Sequence, residues 1–317
     1  MKRDRGRNLR WRRTTLFLLF VWLCLTINDG WLRLAARRNP GSRVNWLFQH
    51  PSTHFDLAIL GSSMFKEGLD PFLLEQLTEK RTVQLAWGGR GLSEQALYLE
   101  LFLARHSCST LILELHPRGL ELNVLPHPLD EFRYVAHLDQ EIVRRHLRRS
   151  FGALRTQVWR IVPMWAMAEF STQIGWHDWL ALRRGVIFDP NAPADNDHTG
   201  DAAILVEQRR DPQRRPGAAE QSALSLNCFE EILLLCQQHD VHVVAVYPPV
   251  SQGSDTTEDR LSLDRYRQLL GEGVTVWASP QADFQFDPNN FQDAYHLNRS
   301  GSRVFTEQIA AAISSER

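Results

Sequence analysis

Five short apolar runs alternating with segments of helical spacing constrain this chain more than any other feature. The runs are Asp56–Leu60 (DLAIL), Thr82–Ala86 (TVQLA), Thr110–Leu115 (TLILEL), Val241–Tyr247 (VHVVAVY) and Val274–Ala278 (VTVWA). Runs of this length, apolar nearly throughout instead of at alternate positions, read as strands buried on both faces of a parallel sheet. Helical spacing follows in Asp70–Thr78, Ser93–Arg105, Ser222–Gln238, Leu261–Leu270 and Arg299–Ser314. The alternation predicts a three-layer α/β domain with right-handed crossovers and a flavodoxin-like sheet of about five strands. With 317 residues, 43% hydrophobic and 23% charged, the chain is long enough to bury such a core, and its composition excludes disorder and a disulfide scaffold.

The N-terminus carries a second signal. Residues 1–13 hold seven Lys or Arg against the single acid Asp4, a net of +6, whereas the rest of the chain sums to −7. A body of that sign repels a phosphate backbone, so nucleic acid is not an expected partner. Behind the basic tail, Thr14–Ile27 is free of charge and rich in Leu, Phe and Val, and Trp31, Leu32 and Leu34 continue the apolar character past Asn28, Asp29 and Gly30. Basic flanks stay in the cytoplasm. Residues 1–13 therefore read as a cytoplasmic tail, 14–34 as an uncleaved signal anchor projecting from the body, and 35–317 as a domain on the periplasmic side of the inner membrane. A cleaved signal peptide is the rival, disfavoured because Thr26–Asp29 offers no pair of small residues for cleavage.

Residues 125–220 break the strand–helix rhythm and read as a helical insertion. Arg144, Arg145, Arg148, Arg149, Arg155 and Arg160 occur with no acid between Arg144 and Arg160, and Trp159, Trp165, Trp176 and Trp179 follow. Cations beside tryptophans suit a membrane surface, and they equally suit a helical cap with a solvated basic face. Val206–Ala223 is polar, contains Pro and Gly, and reads as a loop. Cys228 and Cys236 are separated by about 12 Å along a helix, too far for a bridge. Buried free thiols are expected.

Two motifs carry chemistry. Gly61-Ser62-Ser63 follows the first strand, at the sheet rim where α/β folds place ligands. Asp293-Ala294-Tyr295-His296 directly precedes the last helix. An acid three residues before a His is placed to orient the imidazole, and a Ser on a facing loop completes a nucleophilic set. No Cys/His spacing suggests zinc, His239 and His242 fall on different elements, and no Gly-Lys-Ser phosphate loop occurs.

In this order and at opposite ends of an α/β domain, the two motifs resemble those of the SGNH or GDSL hydrolase superfamily. Gly61 takes the glycine of the first block, Ser62 stands where that family usually has Asp, and Ser63 takes the nucleophile. Asp293 and His296 match its last block. Within Ala86-Trp87-Gly88-Gly89, Gly89 matches the second-block glycine whose N–H faces the oxyanion, with Gly88 a close rival. The third block, Asn followed by Asp after strand three, is not present: Leu115 is followed by His116-Pro117-Arg118-Gly119. Gly-Ser-Ser at this place is similar to a membrane-anchored branch that transfers acyl groups onto cell-envelope polymers.

The resemblance implies a serine esterase or O-acyltransferase acting on acyl esters of cell-envelope polysaccharide. It implies Ser63 as nucleophile, His296 as base and Asp293 as its orienting acid, the N–H groups of Ser63 and Gly89 as oxyanion donors, and no cofactor or metal. The implied partners are an acylated carbohydrate or envelope polymer, the membrane, and a membrane-embedded acyl donor protein. A non-catalytic SGNH-fold scaffold in polysaccharide assembly is the alternative.

Overall fold

The computed structural model describes residues 2–89, 91–116, 119–120, 133–170, 174–193, 223–251, 257–271, 274–278, 285–293 and 295–315. The chain divides into two compact units, residues 1–50 with 127–188 and residues 51–126 with 189–317. Most of the Val206–Ala223 stretch expected to be a loop lies outside the described residues, Ala223 excepted.

The first unit is helical. Helix α1 (Lys2–Arg38) runs unbroken through the polar step at Asn28–Gly30, and α2 (Arg43–Gln49) follows. Helices Glu141–Phe151, Ala153–Ile161, Trp165–Phe170 and Ile174–Arg184 complete it. Side chains at the end of α1 tie these segments together. Arg33 donates to the carbonyls of Val135 (3.2 Å) and Trp159 (2.7 Å), and Asn39 donates to the fully buried Asp178 (2.7 Å), which also pairs with Arg133. Buried Asn45 donates to the Asn39 carbonyl and bonds the His137 ring at 2.9 Å. The end of α1 and residues 127–188 share one core because their polar groups satisfy one another.

The tryptophans of this unit do not share one outward face. Trp159 is fully buried between Phe151 and Phe170, its Nε1–H donating to Glu169, whereas Trp165 and Trp176 are about half exposed at 52% and 49%. In the basic run, Arg144 pairs with Glu141 and Arg155 with Glu169, while Arg148 and Arg160 are exposed.

The second unit is α/β. Strands β1 (His54–Leu60), β2 (Thr82–Gln84), β3 (Ser107–Glu114), β4 (His242–Tyr247) and β6 (Thr275–Ala278) form one all-parallel sheet in the order β2-β1-β3-β4-β6, and β5 (Val250–Ser251) pairs separately with β7 (Gln285–Phe286). This is the flavodoxin-like order, with its switch point between β1 and β3. Alternation sorts the faces. Leu57 and Ile59, Ile112, and Val244 and Val246 pack in one cluster with Phe305, Ile309 and Ile313 of the last helix, Arg299–Ser315. The spacing of four in that helix puts its three large residues on one stripe. Each such side chain, fully buried, contributes about 1.5–3 kcal/mol. Helices α3 (Ser63–Gly68) and α4 (Pro71–Thr78) pack on the same last helix, and α5 (Leu92–Leu103) packs on the helix Ala223–Gln238.

One helix departs from expectation. The sequence pattern starts the first helix of this unit near Asp70, yet α3 begins at Ser63 itself. Six residues are too few to show a 3.6-residue period, which is why the pattern passed over it.

Candidate active site

The first strand delivers its turn to the switch point. β1 ends at Leu60, and Gly61 and Ser62 turn the chain before α3. Beneath the turn lies Glu114, the last residue of the neighbouring strand β3 and 1% exposed. Its carboxylate accepts the Ser62 N–H and, at 2.9 Å, the Ser62 hydroxyl. The same Ser62 Oγ accepts the Met64 N–H at 3.2 Å and so caps α3. Gly61 has no room for a side chain. A Cβ there would meet the Glu114 carboxylate and lie 2.8 Å from Glu114 Cβ and 3.0 Å from Phe65 Cβ. Ser62 is thereby buried and spent on structure, which leaves Ser63 as the serine open to the crevice.

The segment that carries Asp293 and His296 is a closed loop. Phe291 and Leu297, both buried, bridge each other in antiparallel fashion, and the Gln292 N–H donates to the His296 carbonyl at 3.0 Å. Asn298 donates from its side chain to the Asn289 carbonyl (2.7 Å) and accepts the Gly301 N–H (3.1 Å), which locks the loop to the start of the last helix. Inside the loop, Asp293 Oδ1 accepts the N–H groups of Tyr295 (2.8 Å) and His296 (2.9 Å). Its Oδ2 lies 2.7 Å from His296 Nδ1, and His296 Nε2 lies 2.7 Å from Ser63 Oγ. Ser63, His296 and Asp293, singled out in the sequence, therefore form one continuous hydrogen-bonded chain.

Electrostatics assign the protons. Burial works to raise the Asp293 pKa, but the bonds from the His296 ring and the two backbone N–H groups outweigh it and hold the carboxyl at about 2. An ionised carboxylate only accepts, so Nδ1 carries the imidazole proton and Nε2 is left to accept from the Ser63 hydroxyl. Burial works to lower the His296 pKa. The bond and charge of Asp293, with the charges of Glu67 and Glu114, overcome it and move the group above its ordinary value. Glu114 is pushed up to about 7 by burial, against the pull of its two Ser62 bonds and of His296. Glu67, on α3, is raised by burial and accepts a hydrogen bond from the Gln292 side chain.

Gly88 and Gly89 differ in their surroundings. A Cβ on Gly88 would sit 3.7 Å from the Ser63 Cβ, so Gly88 is the glycine that lies against Ser63. Gly89 takes the left-handed conformation (φ 71°) that glycine adopts without strain. The Trp87 N–H donates to the Gly61 carbonyl at 3.1 Å and fastens this segment to the turn that carries Ser63. After β3, the His116 carbonyl accepts from the Tyr266 hydroxyl and the Gly119 N–H, both at 2.9 Å, while Pro117 and Arg118 lie outside the described residues.

Glu114 and Glu67 are the site residues that the sequence reading passed over. For Glu114 a signal existed: a lone acid at the carboxyl end of the otherwise apolar strand TLILEL, where its burial requires a partner. No protein-family model matches the chain, and no curated protein matches it in sequence.

Proposed function

We propose that the chain is a membrane-anchored serine hydrolase or O-acyltransferase of SGNH type, cleaving or transferring acyl esters of cell-envelope polysaccharide. The observation that carries this reading is the Ser63–His296–Asp293 relay, two bonds of 2.7 Å at the switch point of a parallel sheet. Ser63 Oγ attacks the ester carbonyl as its proton passes to His296 Nε2. Asp293 keeps the imidazole in the competent tautomer and stabilises the imidazolium that forms. The N–H groups of Ser63 and of Gly89, with Gly88 closest to the nucleophile, are the donors for the oxyanion. The imidazolium protonates the departing alcohol. A second hydroxyl, from water or from a sugar, then meets the acyl-enzyme and releases it.

Position in the cell follows from α1. The helix is long and apolar enough over Trp11–Arg38 to cross a membrane. The basic residues ahead of the apolar stretch favour a cytoplasmic N-terminus, and the proposal accordingly puts the site on the periplasmic side of the inner membrane. A tether there raises the effective concentration of the site toward membrane-borne acyl donors. The lack of an Asn after β3 favours a second reading, a non-catalytic scaffold in polysaccharide assembly, because it removes a side-chain oxyanion donor.

A fluorophosphonate probe separates the two. On the detergent-solubilised full chain, covalent labelling mapped by mass spectrometry to Ser63, and lost in His296→Ala, is the expected result. An unlabelled Ser63 favours the scaffold.

Glu114 supplies a further expectation. Glu114→Ala leaves the buried Ser62 N–H without its acceptor, a loss of about 1–3 kcal/mol. The resulting displacement of the nucleophile costs kcat about a hundredfold. Glu114→Gln keeps an acceptor and restores most of the rate. It also removes a negative charge that holds the His296 pKa up, so the rising limb of the pH–rate profile moves to lower pH. That displacement distinguishes an electrostatic role from a merely structural one.

A further inference from the structure

Within the helical unit, the height at which α1 ceases to be exposed is marked by side chains. Residues 11–27 are exposed all round the helix, Leu16, Phe17, Leu18, Phe20 and Ile27 among them at 60% or more. Burial sets in at Asn28 and Asp29, and Leu32 is the first fully buried side chain of the helix. Trp11 and Trp31, both more than half exposed, flank the apolar stretch. Twenty residues separate them, about 30 Å of helix and so the thickness of a hydrocarbon layer. Indole rings favour the two headgroup boundaries of such a layer.

Next to Trp31, Asp29 and Arg33 begin the series of bonds that pins the rest of the unit to α1. Asp29 Oδ1 accepts the Met164 N–H at 3.0 Å, and its Oδ2 accepts from Arg33 at 2.7 Å. Arg33 in turn holds the Trp159 carbonyl at 2.7 Å. Met164 takes a left-handed conformation (φ 62°), an uncommon geometry for a residue with a side chain, and its bond to Asp29 helps to hold it. The corner so fixed, residues 161–165, presents Ile161 (59% exposed) and Trp165 (52%) to solvent, with exposed Arg160 beside them. A large aliphatic side chain, an indole and a guanidinium, exposed on one corner that is bonded to α1 at Asp29, match the hydrocarbon edge, carbonyl layer and phosphates of a lipid headgroup region.

We propose that this corner is a membrane seat: Ile161 and Trp165 enter the headgroup layer at the C-terminal end of the span, with Arg160 meeting lipid phosphate. The helical unit then lies directly on the bilayer rather than hanging from a free stalk. The inference rests on the reading of α1 as a membrane span, and the test keeps the two apart.

The full chain is reconstituted in nanodiscs of phosphatidylcholine and phosphatidylglycerol and labelled with an environment-sensitive fluorophore. Native Cys24, exposed on α1, is the first site. The other three thiols are buried, and burial pushes Cys108 and Cys236 up to about 12, so they do not compete for label. Ile161→Cys and Trp165→Cys, each in a Cys24→Ser background, supply the second and third sites. With α1 spanning, the Cys24 label is quenched by bromines deep in the acyl chains. With the corner seated, the labels at 161 and 165 show blue-shifted emission and lose about half their intensity to bromines just below the headgroups, at the 5–10 Å depth of interfacial side chains. A quenched Cys24 label with unquenched labels at 161 and 165 overturns the seat alone. An unquenched Cys24 label overturns the span, and the seat falls with it.

Discussion

Ser63→Ala is expected to lower kcat for ester cleavage by at least about a thousandfold while leaving the fold intact, since triad removal in serine proteases costs that much or more and only the reacting oxygen is lost here. Ser62→Ala discriminates between the neighbouring serines. Ser62 is buried, caps α3 and bonds Glu114, so its loss costs about 1 kcal/mol of local order and a rate loss smaller by orders of magnitude. Asp293→Asn keeps the loop's size, but its amide donates where a carboxylate accepted, so the imidazole tautomer reverses and the rate falls by up to about ten-thousandfold in the protease precedent. The wild-type pH–rate profile carries a second check. His296 acts only when neutral and its pKa is raised, so kcat/KM should climb with pH through an apparent pKa above 6.5. Steady-state assay on a short-chain acyl ester, with each variant's near-UV circular dichroism recorded beside it, reads all of these together. Equal losses in Ser62→Ala and Ser63→Ala would dismiss Ser63 as the nucleophile.

Much of this arrangement was legible in the sequence. The five strands could be read because a strand covered on both faces must be apolar nearly throughout, and the structure places each within a few residues of its run. Ser63, Asp293 and His296 could be named because each lies beside an element boundary that the pattern locates. What stayed hidden depends on contacts distant in sequence. Nothing local to Arg33, Asn39 or Asn45 signals that their side chains bind the segments around Val135, Trp159, Asp178 and His137. The pattern reads the end of α1 as a projecting anchor and residues 125–220 as an insertion, and it carries no sign that residues 1–50 and 127–188 fall in one compact unit. Glu114 was absorbed into a strand pattern that its neighbours dominate.

Acidification from pH 8 to pH 4 should move the two units in opposite directions. In the helical unit, His137 is held down at about 4 by burial and by Arg37, against Asp139, and His146 at about 3 by burial with Arg149 and Arg145. His137 stacks on Phe48 with ring centroids 4.1 Å apart, and both imidazoles are nearly inaccessible. Their folded pKa values lie below the unfolded value of 6.5, so between the two the unfolded chain binds more protons and stability rises with pH. The contribution is complete above about pH 6.5 and is lost as pH falls toward 4, by about 3 kcal/mol for each histidine at 1.4 kcal/mol per unit. In the α/β unit the sign reverses. Glu67, Glu114 and His296 all have folded pKa values above their unfolded ones, so the folded state binds more protons through the neutral range and gains stability on acidification. Asp293 opposes this only at the acid end of the range, as pH approaches its ordinary value of 3.8. Hydrogen exchange, corrected for the intrinsic pH dependence of the chemistry, resolves the two responses. Amides of Glu141–Phe151 and Ala153–Ile161 should lose protection between pH 6.5 and 4, while those of β1 and β3 keep or gain it. His146→Leu should flatten the loss in the helical unit and leave the α/β unit unchanged. A parallel loss in both units would show that they unfold as one, or that the buried histidines are not the groups that titrate.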